Sequence, residues 1–484
     1  MAHPLSRRIG EVLGLEPDAN AIEYEGTWAT FGELADLGCQ IASVVDAGTH
    51  VGILLRNKPA HVAALLGVLS AGGCVVVINP SRGDERIRSD IAELDLPVII
   101  GTAEDIALLV QPAERTTVVS IDNLDDAPQI RRGAPSESDP TPVAVRMLTS
   151  GTTGPPKRVD LTYDMLAVSV IGTGFADAPA PSEVSAGAAI VNAPLVHIGG
   201  VYRVLQCICE ARPFVLLPRF ELASWTEAVR RHRPKAVSLV PAALRMVLHS
   251  DLGPADLAGV RAVTSGTAPL SAEDADAFTA KFGIPVLTSY AATEFGGGVA
   301  GWTLADHRTH WRSKRGSVGR ASLGAQLRVV SADGTPLEPD QIGLLEVKPG
   351  QLGRGADWVR TTDLARIDGD GFLWILGRAD QAIIRGGFKV LPDDVRAALE
   401  SHPAVLGAAV VGRPDERLGH TPVAMVELRS TGSATEADLS EYLRSRLAPY
   451  EIPTDIAIVS AIPRTPSGKA DLTAVRRHFT GHEH

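Results

Sequence analysis

One loop of the sequence carries residue types that can bind a polyphosphate. Residues 148–157 have the sequence LTSGTTGPPK and follow an apolar, strand-like run. The candidate phosphate-binding residues are Thr149, Ser150, Gly151, Thr152, Thr153, Gly154 and Lys157. Glycines let backbone N–H groups approach an anion, and hydroxyl groups and an ammonium add further donors. A plain polar turn has a similar composition, so the residue types alone leave both interpretations open.

The end of this loop excludes one class of nucleotide-binding protein. A Walker A motif ends in Gly-Lys-Ser/Thr. Here Pro155 and Pro156 come directly before Lys157, and neither proline has a backbone N–H to donate. A Walker-type motor or kinase is therefore excluded.

Short apolar runs alternate with amphipathic runs, and these elements must position the loop. Residues 51–55 and 74–78 predict strands, with a helix between them that begins at Pro59 and ends near Ala71. Further strands are predicted at 188–191, 214–217, 236–240, 260–264 and 286–289. The alternation predicts an α/β fold of mainly parallel β-sheets covered by helices. Because such sheets bind ligands near the carboxyl ends of their strands, we expect the site at the loops that follow them.

The pattern of the sequence changes near residues 377–380. Beyond this point come separated strands and a helix at about 436–447. The sequence therefore predicts a large N-terminal domain at 1–377 and a small, mobile α+β domain at 378–484. Residues 131–140 (RRGAPSESDP) have the composition of an exposed linker or loop.

Composition limits the partners that we expect. The chain of 484 residues has 57 acidic and 46 basic side chains, a net charge of −11. This acidity argues against a nucleic-acid partner, which requires a basic face. We expect no membrane span, because the most apolar stretch, 62–78, is interrupted by Ser70, Gly72 and Gly73. No signal peptide is visible, so a cytoplasmic protein is expected, and the four scattered cysteines predict plain buried thiols.

The loop at 148–157 is very similar to the phosphate loop of the adenylate-forming superfamily. This superfamily contains acyl- and aryl-CoA synthetases, adenylation domains of nonribosomal peptide synthetases, and firefly-type luciferases. Other segments resemble its motifs in the family's order: 30–34 (TFGEL), 194–197 (PLVH), 265–270 (SGTAPL), 290–294 (YAATE), 316–319 (GSVG), 360–363 (RTTD), 377–380 (GRAD) and 463–469 (PRTPSGK). The resemblance covers nearly the whole chain.

The resemblance implies a role in ATP binding or adenylation for each matching residue. The loop would hold the β- and γ-phosphates, and Tyr290 would stack on adenine. The other face of the adenine would be covered by Gly266, Thr267, Ala268 and Pro269. Thr293 would contact the α-phosphate and Glu294 would hold Mg²⁺. Asp363 would accept from both ribose hydroxyls, with Arg378 beside the ribose. Lys469 would reach the acid's carboxylate and the α-phosphate from the small domain.

Elementary chemistry agrees with these roles. A carboxylate that attacks ATP brings an anion to a polyanion, so Mg²⁺ and a lysine suit the need to neutralise charge. No strong base is required, because a carboxylic acid is already ionised at pH 7.

The same resemblance places an acyl pocket, a hinge and a thiol tunnel. The predicted pocket residues are small and mostly apolar: His197, Ile198, Gly199, Val201, Ala291, Ala292 and Val299. No charge in this set would bind an amino acid's ammonium, so we expect an aromatic or medium-chain aliphatic acid. His197 could equally be a structural histidine. Asp380 would be the hinge, and Gly386 and Gly387 would line the coenzyme A tunnel.

These observations predict an ATP-dependent acid–thiol ligase that forms acyl-AMP and then acyl-CoA. The small domain departs from the usual motifs at Leu472, at Glu451 and at 418–420, which leaves the thiol step less secure. A carrier-protein thiol or an amine therefore stays open as the acceptor. A non-catalytic nucleotide- or acyl-binding protein is the alternative from another class. The oligomeric state is open, a homodimer included.

Overall fold

The computed structural model describes residues 2–111, 113–133, 141–148, 157–322, 324–353, 355–385, 388–465 and 468–480. The phosphate-loop residues 149–154 and the predicted tunnel residues Gly386 and Gly387 lie outside the described residues.

The first sheet forms the centre of the N-terminal half. Its strands, in order across the sheet, are Gln129–Arg131, Thr117–Ser120, Val98–Gly101, His50–Leu54, Cys74–Ile78, Val143–Leu148 and Arg158–Thr162. The inner pairings are parallel and the pairings at both edges are antiparallel. Cys74–Ile78 is apolar throughout and buried at every position, as expected for a parallel strand with both faces covered.

Two further sheets combine parallel and antiparallel pairings. The second sheet has the order Ala189–Val191, Phe214–Leu216, Asn20–Tyr24 and Thr27–Thr30. The third sheet has the order Ala236–Ser238, Ala262–Ser265, Val286–Ala292, Gly297–Gly301 and Arg320–Ala321. Each sheet becomes antiparallel toward its last strands.

The fourth sheet is antiparallel, and the fifth belongs to the C-terminal part of the chain. The fourth sheet has the order Gln326–Val330, Ile342–Lys348, Val359–Ile367 and Leu373–Arg378. The fifth sheet contains Phe388–Val390, Ile383–Arg385, Gly419–Leu428, Val405–Asp415 and Ile456–Val459. The predicted α/β class is confirmed, and the antiparallel fourth sheet is an addition to the predicted parallel architecture.

Helices cover these sheets. Their bounds are Pro4–Leu13, Phe31–Ala42, Pro59–Ser70, Asp84–Leu94, Ala103–Leu109, Tyr163–Val170, Ile198–Cys209, Leu222–His232, Pro241–Leu248, Ala272–Phe282, Leu304–His310, Pro392–Glu400, Glu436–Arg444 and Leu472–Thr480. Short 3₁₀ turns lie at Pro254–Leu257, Thr293–Phe295, Gly350–Leu352 and Ala379–Gln381. The helix Phe31–Ala42 begins after a capping box formed by Thr30 and Glu33.

The C-terminal part has a hydrophobic core of its own. In this core Val395 and Leu399 of one helix pack with Val410 and Ala424 of the fifth sheet and with Leu439 of the next helix. A separate core is what a small domain requires for independent packing. The boundary at 377/378 itself stays a prediction.

Cysteine placement matches the predicted thiols at three of four positions. Cys74, Cys207 and Cys209 are buried and unbridged, whereas Cys39 is exposed. Within the described ranges, no helix is both long and apolar enough to cross a membrane.

Candidate active site

The candidate site begins at the carboxyl ends of neighbouring parallel strands in the third sheet. Gly266 and Thr267 follow the strand Ala262–Ser265. A Cβ at Gly266 would lie 2.9 Å from Ser289 Oγ, so the missing side chain permits this close approach. Thr267 has a φ of +72°, which is strained for a β-branched residue. Strain of this kind is concentrated at ligand sites. Of the other predicted adenine-binding residues, Ala268 is half-buried and Pro269 is exposed.

A hydrogen bond joins the third sheet to the fourth at the predicted nucleotide site. The hydroxyl of Tyr290 donates to Oδ2 of Asp363. Burial, followed by the charge of Asp363, raises the pKa of Tyr290, so the phenol stays protonated and acts as a donor. Burial also raises the pKa of Asp363, while the bond from Tyr290 and the charge of Arg378 oppose that rise. This hydrogen bond orients the Asp363 carboxylate and occupies one of its two oxygens. The family resemblance did not predict this contact.

The predicted hinge lies directly beside this carboxylate. Asp363 and Arg378 are register partners on adjacent strands of the fourth sheet. Arg378 donates from Nε and Nη2 to the two carboxylate oxygens of Asp380 at 2.9 and 2.7 Å. Asp380 lies in the 3₁₀ turn Ala379–Gln381, where the chain leaves the fourth sheet for the C-terminal core. Asp363, Arg378 and the predicted hinge residue Asp380 are therefore one connected group.

Lys469 is presented by a tight turn. The backbone N–H of Thr465 donates to the carbonyl of Lys469 at 2.7 Å, and that of Gly468 donates to the carbonyl of Thr465 at 2.8 Å. Gly468 has a φ of +80°, a conformation that favours glycine. Gly468, directly before the lysine, thus adopts a backbone conformation that few other residues would.

Lys469 lies in the electrostatic field of the predicted nucleotide-site residues. Burial lowers its pKa, because a low-dielectric setting disfavours the ammonium. The charges of Glu294 and Asp363 oppose this shift, whereas that of Arg378 adds to it. Lys469 and these three residues come from separate elements, and the fold brings them together.

Thr293 and Glu294 begin the 3₁₀ turn that follows the strand Val286–Ala292. Thr293 is half-buried and Glu294 is exposed. Lys157, the end of the phosphate loop, is exposed as well. A carboxylate at the open side of the cleft is suited to a hard cation that also binds phosphate.

His197 caps the helix Ile198–Cys209 and lies near Lys469. Burial and then the positive charge of Lys469 lower the pKa of His197 to about 4, so the imidazole is neutral at pH 7. Its buried Nε2 has no hydrogen-bond partner among the described residues. A neutral imidazole with an unused nitrogen is suited to contact a substrate rather than to act as a charged group.

The predicted acyl-pocket residues divide into two groups. Ile198 and Ala292 are half-buried, and Gly199 and Ala291 are exposed. Among the described atoms nothing lies within 4 Å of a Cβ built at Gly199. Val201 and Val299 are fully buried in hydrophobic cores and support the wall from behind.

Asn57 is a positioning residue that sequence analysis missed. Its Nδ2 donates to the carbonyls of Ala193 and Leu217 at 3.1 and 2.9 Å, and its Oδ1 accepts from the N–H of Leu195 at 2.8 Å. These bonds hold the segment that leads to His197. A buried amide with three backbone partners specifies the local conformation closely.

We expect Asn57→Ala to lower kcat for adenylate formation by about 10-fold, because His197 and the pocket wall lose their support. The three unpaired backbone groups should also cost about 2–3 kcal/mol of unfolding free energy. Initial rates and urea unfolding measure the two effects. Asn123→Ala, which removes an exposed asparagine bonded to Asp126, is the matched control. Wild-type rates in Asn57→Ala would contradict this role.

Comparison with known proteins identifies the family. Residues 11–355 match the AMP-binding enzyme family, and residues 394–469 match the AMP-binding enzyme C-terminal domain. The first match alone spans more than half of the chain, so this protein belongs to the AMP-binding enzyme family.

Relatives and solved structures match over almost the full length. A feruloyl-CoA synthase from Amycolatopsis is 30% identical, over 96% of this chain and 97% of the relative. A sulfoacetate–CoA ligase from Cupriavidus necator is also 30% identical, over 96% and 94%. The structure of o-succinylbenzoate CoA synthetase from Bacillus subtilis with its acyl-adenylate has a TM-score of 0.78 at 25% identity, covering 100% of this chain and 99% of that chain.

Proposed function

We propose that this protein is an AMP-forming acid–thiol ligase, which activates a carboxylic acid with ATP and passes the acyl group to coenzyme A. The observation that carries the proposal is the convergence of Lys469 with His197, Glu294 and Asp363. The half-buried Lys469 of the C-terminal part lies within electrostatic range of residues of the N-terminal part. The curated relatives with CoA-ligase names support coenzyme A as the acceptor.

The first step joins the acid to the α-phosphorus. A carboxylate oxygen attacks this phosphorus, the bond to the bridging oxygen of the β-phosphate breaks, and pyrophosphate leaves. Lys469 stabilises the negative charge on the acid and on the α-phosphate oxygens, and Thr293 donates to the α-phosphate. Tyr290 and Asp363 orient the adenosine.

Glu294 is the proposed Mg²⁺ ligand. Mg²⁺ bound by one carboxylate and the ATP phosphates would neutralise charge on the departing pyrophosphate. The exposed position of Glu294 beside the cleft fits such a shared site, because the remaining ligands come from substrate and water.

The second step transfers the acyl group. The sulfur of coenzyme A attacks the acyl carbon, the thiol proton is lost, and AMP leaves with the former carboxylate oxygen. A thiol with a pKa near 8.5 supplies about a few per cent of thiolate at neutral pH. No pyrophosphate leaves in this step, so the charge carried by Lys469 is less important for it.

The proposed acid is aromatic or medium-chain aliphatic. Gly199 leaves open space at the pocket wall, and Ile198, Ala291 and Ala292 add apolar surface. Such a wall favours an apolar acyl group. The relatives alone do not select the acid, since ferulate and sulfoacetate differ greatly in polarity.

Pyrophosphate release across benzoate, ferulate, octanoate and sulfoacetate tests the proposal, with products identified by mass spectrometry. We expect an apolar acid to give acyl-AMP without coenzyme A, and acyl-CoA plus AMP with it. Acyl-AMP that accumulates despite coenzyme A would overturn the proposed acceptor in favour of a carrier protein or an amine. ATP binding without pyrophosphate release for any acid would overturn the ligase assignment.

A further inference from the structure

A buried ion-pair network joins the large part of the chain to the C-terminal part. Arg245, in the helix Pro241–Leu248, is only 7% exposed. Its Nε donates to Oδ2 of Asp274 at 2.7 Å, and its Nη2 donates to Oε2 of Glu400 at 2.8 Å. Asp274 belongs to the large part, whereas Glu400 ends the helix Pro392–Glu400 of the C-terminal core. A single guanidinium therefore bridges the two parts.

Glu400 is also held in place by contacts within the C-terminal part. Its Oε2 also accepts from Nη1 of Arg396 at 2.7 Å, and its Oε1 accepts from the N–H of Ala408 at 3.3 Å. Arg396 in turn contacts Asp393 at 3.1 Å. The carboxylate side chain is 6% exposed. Because the Glu400 carboxylate is already oriented by contacts within its own domain, Arg245 can pair with it in only a narrow range of domain orientations.

The helix that carries Arg245 also contacts the turn that carries Lys469. Val240 caps the N-terminus of this helix, and a Cβ built at Gly468 would lie 3.5 Å from Val240 Cγ2. One short helix thus lies close to the Lys469 segment at its N-terminus and binds Glu400 through Arg245 in its last turn. Fixing Glu400 against Arg245 restricts where Lys469 lies relative to Val240.

We propose that Arg245 and Glu400 are positioning residues that hold the C-terminal domain in the orientation where Lys469 reaches the reacting groups. This inference rests on the proposed function. It deepens that function because the contact serves adenylate formation, the step from which pyrophosphate leaves. The thiol step does not release a polyphosphate and does not need this orientation of Lys469.

Glu400→Gln is the most direct test, because it removes the charge and keeps the shape. In this variant Arg245 keeps Asp274 and Arg396 keeps Asp393, so neither cation is left without a carboxylate. We expect adenylate formation to slow by about 10-fold and transfer from supplied acyl-AMP to coenzyme A to stay within about twofold. The acid is the one that gives most adenylate in the panel above.

Arg413→Gln is the matched control. It breaks an ion pair of similar length, 2.8 Å to Asp455, that lies wholly within the C-terminal domain. Both half-reactions should stay near wild-type rates in this variant. Equal loss of both half-reactions in Glu400→Gln, or no loss in either, would overturn the proposal.

The relative orientation of the two domains can be measured without any carboxylic acid substrate. Spin labels on cysteines introduced at the exposed positions Arg308 and Glu436, in a Cys39→Ser background, give an interdomain distance distribution by double electron–electron resonance. We expect Glu400→Gln to broaden the distribution or add a second distance, and Arg413→Gln to leave it unchanged. An unchanged distribution in Glu400→Gln would refute the positioning role even if no acid proved to be a substrate, which separates it from failure of the proposed function.

Discussion

Replacing Lys469 by alanine is expected to slow formation of the acyl-adenylate by about 1,000-fold. Transfer of the acyl group from supplied acyl-AMP to coenzyme A should stay within a few-fold of the wild-type rate. The reason is that Lys469 lies with Glu294 and Asp363, where the proposed mechanism places the charge that develops as pyrophosphate leaves. Removing the ammonium should leave that charge uncompensated in a half-buried setting, where electrostatic interactions are stronger than in water.

The two half-reactions are measured separately, by acid-dependent pyrophosphate release and by thioester formation from synthetic acyl-AMP. Lys235→Ala removes an exposed lysine and serves as the control. If Lys469→Ala slowed both half-reactions equally, the division of labour assigned to this lysine would be wrong.

Replacing Asp380 by proline should produce the opposite pattern. We expect the thiol step to fall by about 100-fold and adenylation to change by less than about fivefold, because proline fixes φ and stiffens the hinge. A φ near −65° is also common in 3₁₀ turns, so the φ that proline imposes suits a residue in the turn that Asp380 occupies.

Asp380→Ala distinguishes stiffness from loss of the ion pair with Arg378. Both substitutions remove that pair, but only proline restricts rotation. Thioester formation from supplied acyl-AMP and pyrophosphate release are compared in the two variants. Similar losses in both would show that the ion pair, rather than hinge freedom, supports the thiol step.

Elements with a strong local pattern were predictable from the sequence. The strand Cys74–Ile78 and the helix Pro59–Ser70 were predicted within about one residue, because apolar runs and terminal proline and glycine signals coincide there. The antiparallel fourth sheet was missed. Asp-Gly pairs at 333–334 and 368–369 are turn signals that predict hairpins, and both lie between its strands.

Contacts between distant parts of the chain were beyond sequence reasoning. Asn57 binds backbone groups about 140 to 160 residues further along, and Arg245 binds Glu400 155 residues away. Neither side chain belongs to a local pattern that marks it. The roles of the motif residues came from the resemblance, whereas the bond from Tyr290 to Asp363 required the positions of two sheets.

The burial of Lys469 has a thermodynamic consequence. An ammonium that loses solvation as the domain docks is compensated in part by Glu294 and Asp363, and an anionic nucleotide beside it adds to that compensation. Nucleotide binding and domain docking are then linked equilibria, and each strengthens the other by the same factor. ATP thus acts as a ligand of the docked orientation as well as a substrate, and the departure of pyrophosphate after the first step removes part of the anionic charge that favours docking.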